Sequence, residues 1–277
     1  MKTSSLPLNS KSKTIVLIHG LWVTPRSWQK FQRFYEGRGY QVLVPAWPGI
    51  RGDVEGMQRD PSSFNNIGIE EVVAHYTKII QALPEKPIII GHSFGGLITQ
   101  LLVDRGLAAA GVAIDSVPPK GILVLPVSTY LALLPALNPF HFRGTFRFTL
   151  KQFWKVFANT LTKAEVTDAY HTQAIAAPGK AIFQAALSNL IPNSRATVNF
   201  KNPDRAPLLV IGGEQDVIMP AALSRKIFAK HSASPVTTDY KEFPGRSHYL
   251  IAEKGWEEVA SYAIAWAGSS SRATAAN

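Results

Sequence analysis

Apolar residues gather along this chain in short, β-branched runs: TIVLIH at 14–19, YQVLVPA at 40–46, PIIIG at 87–91, GVAID at 111–115, PLLVIG at 207–212 and VTTDYKEF at 236–243. Most are continuous rather than alternating, as expected of strands buried on both faces of a sheet. Between them, apolar positions recur at helical spacing. Pro25 suits a first helical turn and is followed by Trp28, Phe31 and Phe34. GIEEVVAHYTKIIQAL (68–83) stops at Pro84, GGLITQLLVDRG (95–106) stops at a glycine, and AALSRKIFAKH and KGWEEVASYAIAWA complete the set. Strands alternating with helices predict an α/β fold with a doubly wound, mainly parallel sheet.

One stretch breaks the alternation. From about Val117 to Pro203 there is no clean strand, only aromatics, prolines and helical segments such as TLKQFWKVFANTL and KAEVTDAYHTQAI. This reads as a helical cap, 118–203, inserted between the two parts of one core, 14–117 and 204–267. Residues 1–13 and the tail 268–277 are small and polar, and are expected to be disordered.

With 277 residues the chain is long enough for such a core, and it has no cysteine, which excludes disulfides, thiolate chemistry and a Cys-ligated zinc. The opening MKTSSLPLNSKSK lacks an apolar signal core, and no run approaches the ~20 apolar residues of a membrane span. The expectation is a cytoplasmic protein without stable membrane association. Net charge is +10, from 29 Lys and Arg against 19 Asp and Glu. These charges are spread without a basic block of the nucleic-acid-binding kind, so a solvated basic surface is expected and no nucleic-acid partner.

The sharpest chemical signal is GHSFGG at 91–96, directly after an apolar strand and before an amphipathic helix. Gly91-His92-Ser93-Phe94-Gly95 fits G-x-S-x-G, in which a strained turn lifts the serine out as a nucleophile. A serine hydroxyl needs a base. His248, in GRSHYL after the last strand, lies at the same carboxyl edge of the sheet. His92 reads as structural, His75 as a helix residue, and His141 and His171 fall in the cap. For the acid that orients the base, Asp216 in GGEQDVIMP follows a strand at that edge, and Asp115 at the end of GVAID is the competitor. The backbone N–H groups of Phe94 and Leu21 are the candidate oxyanion donors, the latter from the turn IHGLW. Trp22, Phe140 and Trp154 are the candidate substrate-binding side chains.

Taken together, IHG with an aromatic-rich helix after it, GHSFGG, GGEQDVIMP and GRSH resemble the α/β-hydrolase superfamily, nearest to its esterase and cofactor-free haloperoxidase (perhydrolase) members. The order Ser93, Asp216, His248 is the one that family uses. The likeness covers roughly 14–115 and 205–267 and does not reach the cap. It implies a serine hydrolase acting on a small-molecule ester, lactone or thioester of apolar character, with no metal and no organic cofactor. Perhydrolase or hydroxynitrile-lyase chemistry on the same residues, and a weakly catalytic receptor on the same fold, are the alternatives. HFRGTFRFTLKQFWK (141–155) interleaves cations with aromatics as membrane-surface segments do, but reads better as a cap helix facing the pocket.

Overall fold

The computed structural model describes residues 12–122 and 127–273, so the expected N-terminal disorder falls outside it except at Ser12 and Lys13. In chain order the first part of the core holds β1 (Thr14–Ile18), α1 (Gln29–Glu36), β2 (Gln41–Leu43), α2 (Val54–Arg59), α3 (Ile69–Gln81), β3 (Ile88–His92), α4 (Phe94–Asp104) and β4 (Ala110–Ile114). The segment expected as a cap, called the cap below, follows with α5 (Val127–Leu133), β5 (Thr145–Phe146), α6 (Leu150–Phe157), α7 (Lys163–Gln173), β6 (Ala177–Pro178) and α8 (Gly179–Ala186). The core resumes with β7 (Leu208–Gly213), α9 (Ala221–His231), β8 (Thr238–Phe243) and α10 (Trp256–Ala273).

Six strands form one sheet in the order β2-β1-β3-β4-β7-β8, and every pair is parallel. Alternate residues divide between two cores, which explains the continuous apolar runs. Val16, Ile18, Ile89 and Val210 face the side of α3, α4 and the cap, whereas Ile15, Leu17, Ile90 and Ile211 face α1 and α10. Because β2 and β3 flank β1 on opposite sides, the strand order reverses between β1 and β3. The crevice beyond their carboxyl ends is where sheets of this kind bind ligands.

Several elements differ from expectation. β2 is three residues long and partly exposed, because it is an edge strand that stops before Pro45. α2 was not expected; Asp53 caps it by accepting from Gly56 N–H at 2.7 Å. The cap is not purely helical, since β5 and β6 pair antiparallel through two residues each. At the C-terminus α10 runs on to Ala273, into the stretch 268–277 read as disordered, because Gly268 is tolerated once the helix is propagating.

Candidate active site

Ser93 follows β3 at φ 58° and ψ −118°, a conformation costly for any residue with a side chain. The neighbouring sequence makes that turn possible. A Cβ on Gly91 would collide with the carbonyl of Gly95, and one on Gly95 with the carbonyl of Ile18. The glycines therefore let helix α4 start hard against β1 and β3, with Ser93 projecting from the junction. Gly20, after β1, faces it so closely that a Cβ there would lie 2.8 Å from Ser93 Cβ.

His248 and Asp216 come from the loops after β8 and β7. Asp216 Oδ2 is 2.6 Å from His248 Nδ1, with both side chains fully buried. The other carboxylate oxygen of Asp216 accepts the N–H of Ile218 at 2.9 Å and of Met219 at 2.8 Å, which fixes the loop. Nδ1 of His248 therefore carries the proton and donates it to Asp216, leaving Nε2 as the basic atom. That Nε2 is buried and has no hydrogen-bond partner. His248 is walled by Phe157, whose ring centroid lies 4.7 Å away edge-on, and by His92 at 4.6 Å.

Asp115, the competing acid, takes another place. Its Oδ1 accepts the N–H of Gly213 at 2.7 Å, and it makes no hydrogen bond to a histidine. Complete burial, and next the charge of Asp216, raise its pKa well above the ordinary carboxylate value.

The turn after β1 is held from two sides. His19 donates from Nδ1 to the carbonyl of Gly20 at 2.9 Å and accepts the N–H of Trp47 at Nε2 at 3.3 Å. Burial lowers its pKa to about 4, so this neutral tautomer persists at physiological pH. Trp22, at φ 64°, is clamped to the cap: its carbonyl accepts Ile175 N–H at 3.0 Å and its indole donates to Phe146 O at 3.1 Å. Leu21 lies between these anchors. Neither its N–H nor that of Phe94, in the first turn of α4, is engaged by another group among the described residues.

Leu21, Trp22, Ser93 and Phe94 border a narrow apolar cavity of about 40 Å³. Leu21, Trp22 and Phe94 form its core side, Thr129, Leu133 and Ile182 its cap side, and no charged residue lines it. Two expected binding residues are elsewhere. Phe140 is 92% exposed on the outside of the cap, because the turn Pro139–His141 that carries it points away from the core. Trp154 packs within the cap and donates to Leu161 O at 3.0 Å, because α6 turns Phe153 and Phe157 inward instead.

Two further residues support the base's loop: His92, which read as structural, and Glu253, which escaped the sequence reading. His92 donates from Nε2 to the backbone carbonyl of His248 at 2.7 Å, tying the base's loop to the residue before Ser93. Burial, and next the neighbouring His248, hold its pKa well below the usual histidine value. Glu253 accepts the N–H of Ser247 at 3.1 Å and its hydroxyl at 2.7 Å, and also the hydroxyl of Thr160 in the cap. Adjacency to Ser93 was the only sequence signal for His92, and Glu253 had none. His92, Asp115 and His248 also offer potential metal-ligand atoms within 4.8 Å of one another. Hydrogen bonds already occupy Nδ1 of His248, Nε2 of His92 and Oδ1 of Asp115.

A family model described as the alpha/beta hydrolase family matches residues 15–262. No curated protein sequence matches the chain. Among solved structures, a monoacylglycerol lipase from Paleococcus ferrophilus is 22% identical, with 92% of this chain and 94% of that one covered and a TM-score of 0.62. Polyneuridine aldehyde esterase is 13% identical, covering 92% and 98%, with a TM-score of 0.63. BpoC of Mycobacterium tuberculosis, described as a non-heme bromoperoxidase, is 18% identical over 92% of each chain, with a TM-score of 0.67. At these identities the likeness establishes the fold.

Proposed function

The chain belongs to the alpha/beta hydrolase family, and from that premise we propose that it is a serine hydrolase cleaving a carboxylic ester of a small-to-medium apolar substrate through an acyl-enzyme. One observation carries this reading. His248 has its Nδ1 committed to Asp216 at 2.6 Å and its Nε2 buried without a partner, while Ser93 stands strained at the cavity floor.

In this mechanism Ser93 Oγ attacks the ester carbonyl carbon and its proton passes to His248 Nε2. The carbonyl electron pair moves onto oxygen, where the N–H groups of Leu21 and Phe94 stabilise it. Asp216 stabilises the imidazolium without taking its proton. Collapse of the tetrahedral intermediate breaks the bond to the alcohol oxygen, which receives the proton from His248. Water then attacks the acyl-enzyme by the same route in reverse and releases the acid and Ser93. His19 and the cap contacts of Trp22 hold the donor turn in place before substrate arrives, so little reorganisation is needed at the moment charge develops.

The uncharged lining favours an ester without ionised groups near the carbonyl. Hydrolysis of p-nitrophenyl esters, followed in the pre-steady state, tests the proposal: a burst of p-nitrophenol stoichiometric with enzyme is expected for an acyl-enzyme. Absence of turnover across short and medium acyl chains would favour a receptor on the hydrolase fold instead.

A further inference from the structure

The cap presents two unlike faces. On the inside, Thr129 and Leu133 line the catalytic cavity. On the outside, Val127, Tyr130, Leu131 and Leu134 follow one another at helical spacing along α5 and the turn after it, and all are exposed, Leu134 to 66%. The stripe is extended by neighbouring elements. Helix α8, which packs on the turn at 134–137, ends in exposed Leu187, with Leu190 and Ile191 beyond it. Phe142, also exposed, meets Phe183 of α8 at 5.6 Å between ring centroids. Solvent-facing apolar side chains scattered singly need no explanation, but a contiguous stripe marks an interaction surface.

Charge identifies its partner. From residue 116 to residue 164 the chain contains Lys120, Arg143, Arg147, Lys151, Lys155 and Lys163 and not one Asp or Glu. Two of these cations border the apolar stripe directly. Lys155 shares a surface cleft with Leu131 and Pro135, and the ammonium of Lys120 is held by the carbonyls of Ile191 and Pro192. A second copy of the chain meeting this face symmetrically would set cation against cation. An anionic lipid surface supplies both the apolar layer and the opposite charge.

We propose that the outer face of the cap docks on an anionic membrane surface, with Tyr130, Leu131, Leu134 and Phe140 entering the headgroup–acyl boundary and Lys120 and Lys155 meeting lipid phosphates. This goes beyond the hydrolase reading and does not require it. It adds to that reading one consequence: the cavity that the same helix lines lies beside a reservoir of membrane-partitioned ester. The interleaved cations and aromatics of 141–155 are not the centre of this face. There α6 turns its aromatics inward, and the exposed stripe lies mainly upstream of it.

The test is co-sedimentation of the full chain with vesicles of phosphatidylcholine alone and of phosphatidylcholine mixed with phosphatidylglycerol. Binding is expected only to the mixed vesicles, and it should weaken as salt is raised. Lys155→Glu should reduce it by about fivefold or more, and Leu134→Asp and Phe140→Asp by about tenfold. Lys226→Glu, the same charge change on α9, should leave it unaltered. Unchanged thermal melting of the variants excludes misfolding as the cause. Ser93→Ala should bind as the wild type does, so failure of the catalytic proposal would leave this result standing. Equal binding to neutral and anionic vesicles, or no loss in the cap variants, would overturn the proposal. So would a dimer by light scattering that Leu134→Asp dissociates, since a second copy would then own the face.

Discussion

Asp216 Oδ2 and His248 Nδ1 are 2.6 Å apart inside a fully buried pair, although the two residues hang from different loops at the sheet's carboxyl edge. Burial makes the bond directional and strong, and removing the charge while keeping the shape should cost catalysis more than folding. Asp216→Asn is expected to lower kcat by about 10³ to 10⁴. Asp115→Asn, at a carboxylate that accepts from Gly213 N–H and makes no hydrogen bond to His248, should lower it far less. Steady-state kinetics on a p-nitrophenyl ester rank the two, and the reverse order would assign the acid to the end of β4.

Asp115 should betray itself in stability instead. Its folded pKa is raised by burial and by Asp216, so the folded chain holds a proton there that the unfolded chain loses above the ordinary carboxylate pKa of ~3.9. Protons bound by the native state favour it at low pH, and this contribution is lost as pH rises from that value through the raised pKa. Asp115→Asn removes the dependence. Its melting temperature relative to wild type should therefore climb with pH, and a constant difference across pH 4 to 8 would contradict the assignment.

His19 acts in the opposite direction. Its pKa falls from the ordinary histidine value of 6.5 to about 4 in the fold, mainly through burial. Above ~6.5 both states are neutral and the His19 hydrogen bonds are intact; as pH falls towards 4 the unfolded state gains the proton first and stability drops. A fall of that size corresponds to about 3 kcal/mol. His19→Asn can still donate to Gly20 O but has no proton to gain, so its stability deficit should shrink as pH is lowered from 6.5 to 4. Denaturant unfolding at several pH values measures this, and a deficit that widens on acidification would refute it.

What the sequence made legible follows from how locally each feature is determined. Strands buried on both faces show as unbroken apolar runs, and the parallel six-stranded sheet and its family were readable from them and from GHSFGG. The elbow is legible because collisions of Gly91 and Gly95 with nearby backbone leave no other residue type there. The edge strand β2 and the two-residue strands β5 and β6 carry too few residues to show a period. In the cap, periodicity marks an apolar side of a helix but not which neighbour covers it, so Phe140 and Trp154 were placed in a cavity they do not reach. His92 supports the base's loop through a backbone carbonyl, which leaves no mark on the sequence, and Glu253 does so through Ser247 and Thr160, a pairing that no spacing announces.

The cavity predicts a chain-length optimum. Each further methylene buried among Leu133, Ile182 and Met219 should add up to ~0.8 kcal/mol, several-fold in kcat/KM, until the space is filled. Beyond that length the rate should fall. Ala185→Phe, which fills the cap side, should move the optimum to shorter acyl chains without abolishing acetate hydrolysis. Rates from acetate to palmitate decide it; an optimum unmoved by the substitution would mean that acyl chains occupy another groove.

The most direct test of the central claim is covalent labelling by a fluorophosphonate, read by intact mass and peptide mapping. In the proposed mechanism Ser93, strained at φ 58°, is the hydroxyl that the buried Nε2 of His248 would activate. The account predicts one adduct per chain, mapped to the peptide containing Ser93, and none in Ser93→Ala of unchanged melting temperature. Labelling that persists in Ser93→Ala, or an adduct on any other residue of the wild type, would contradict it.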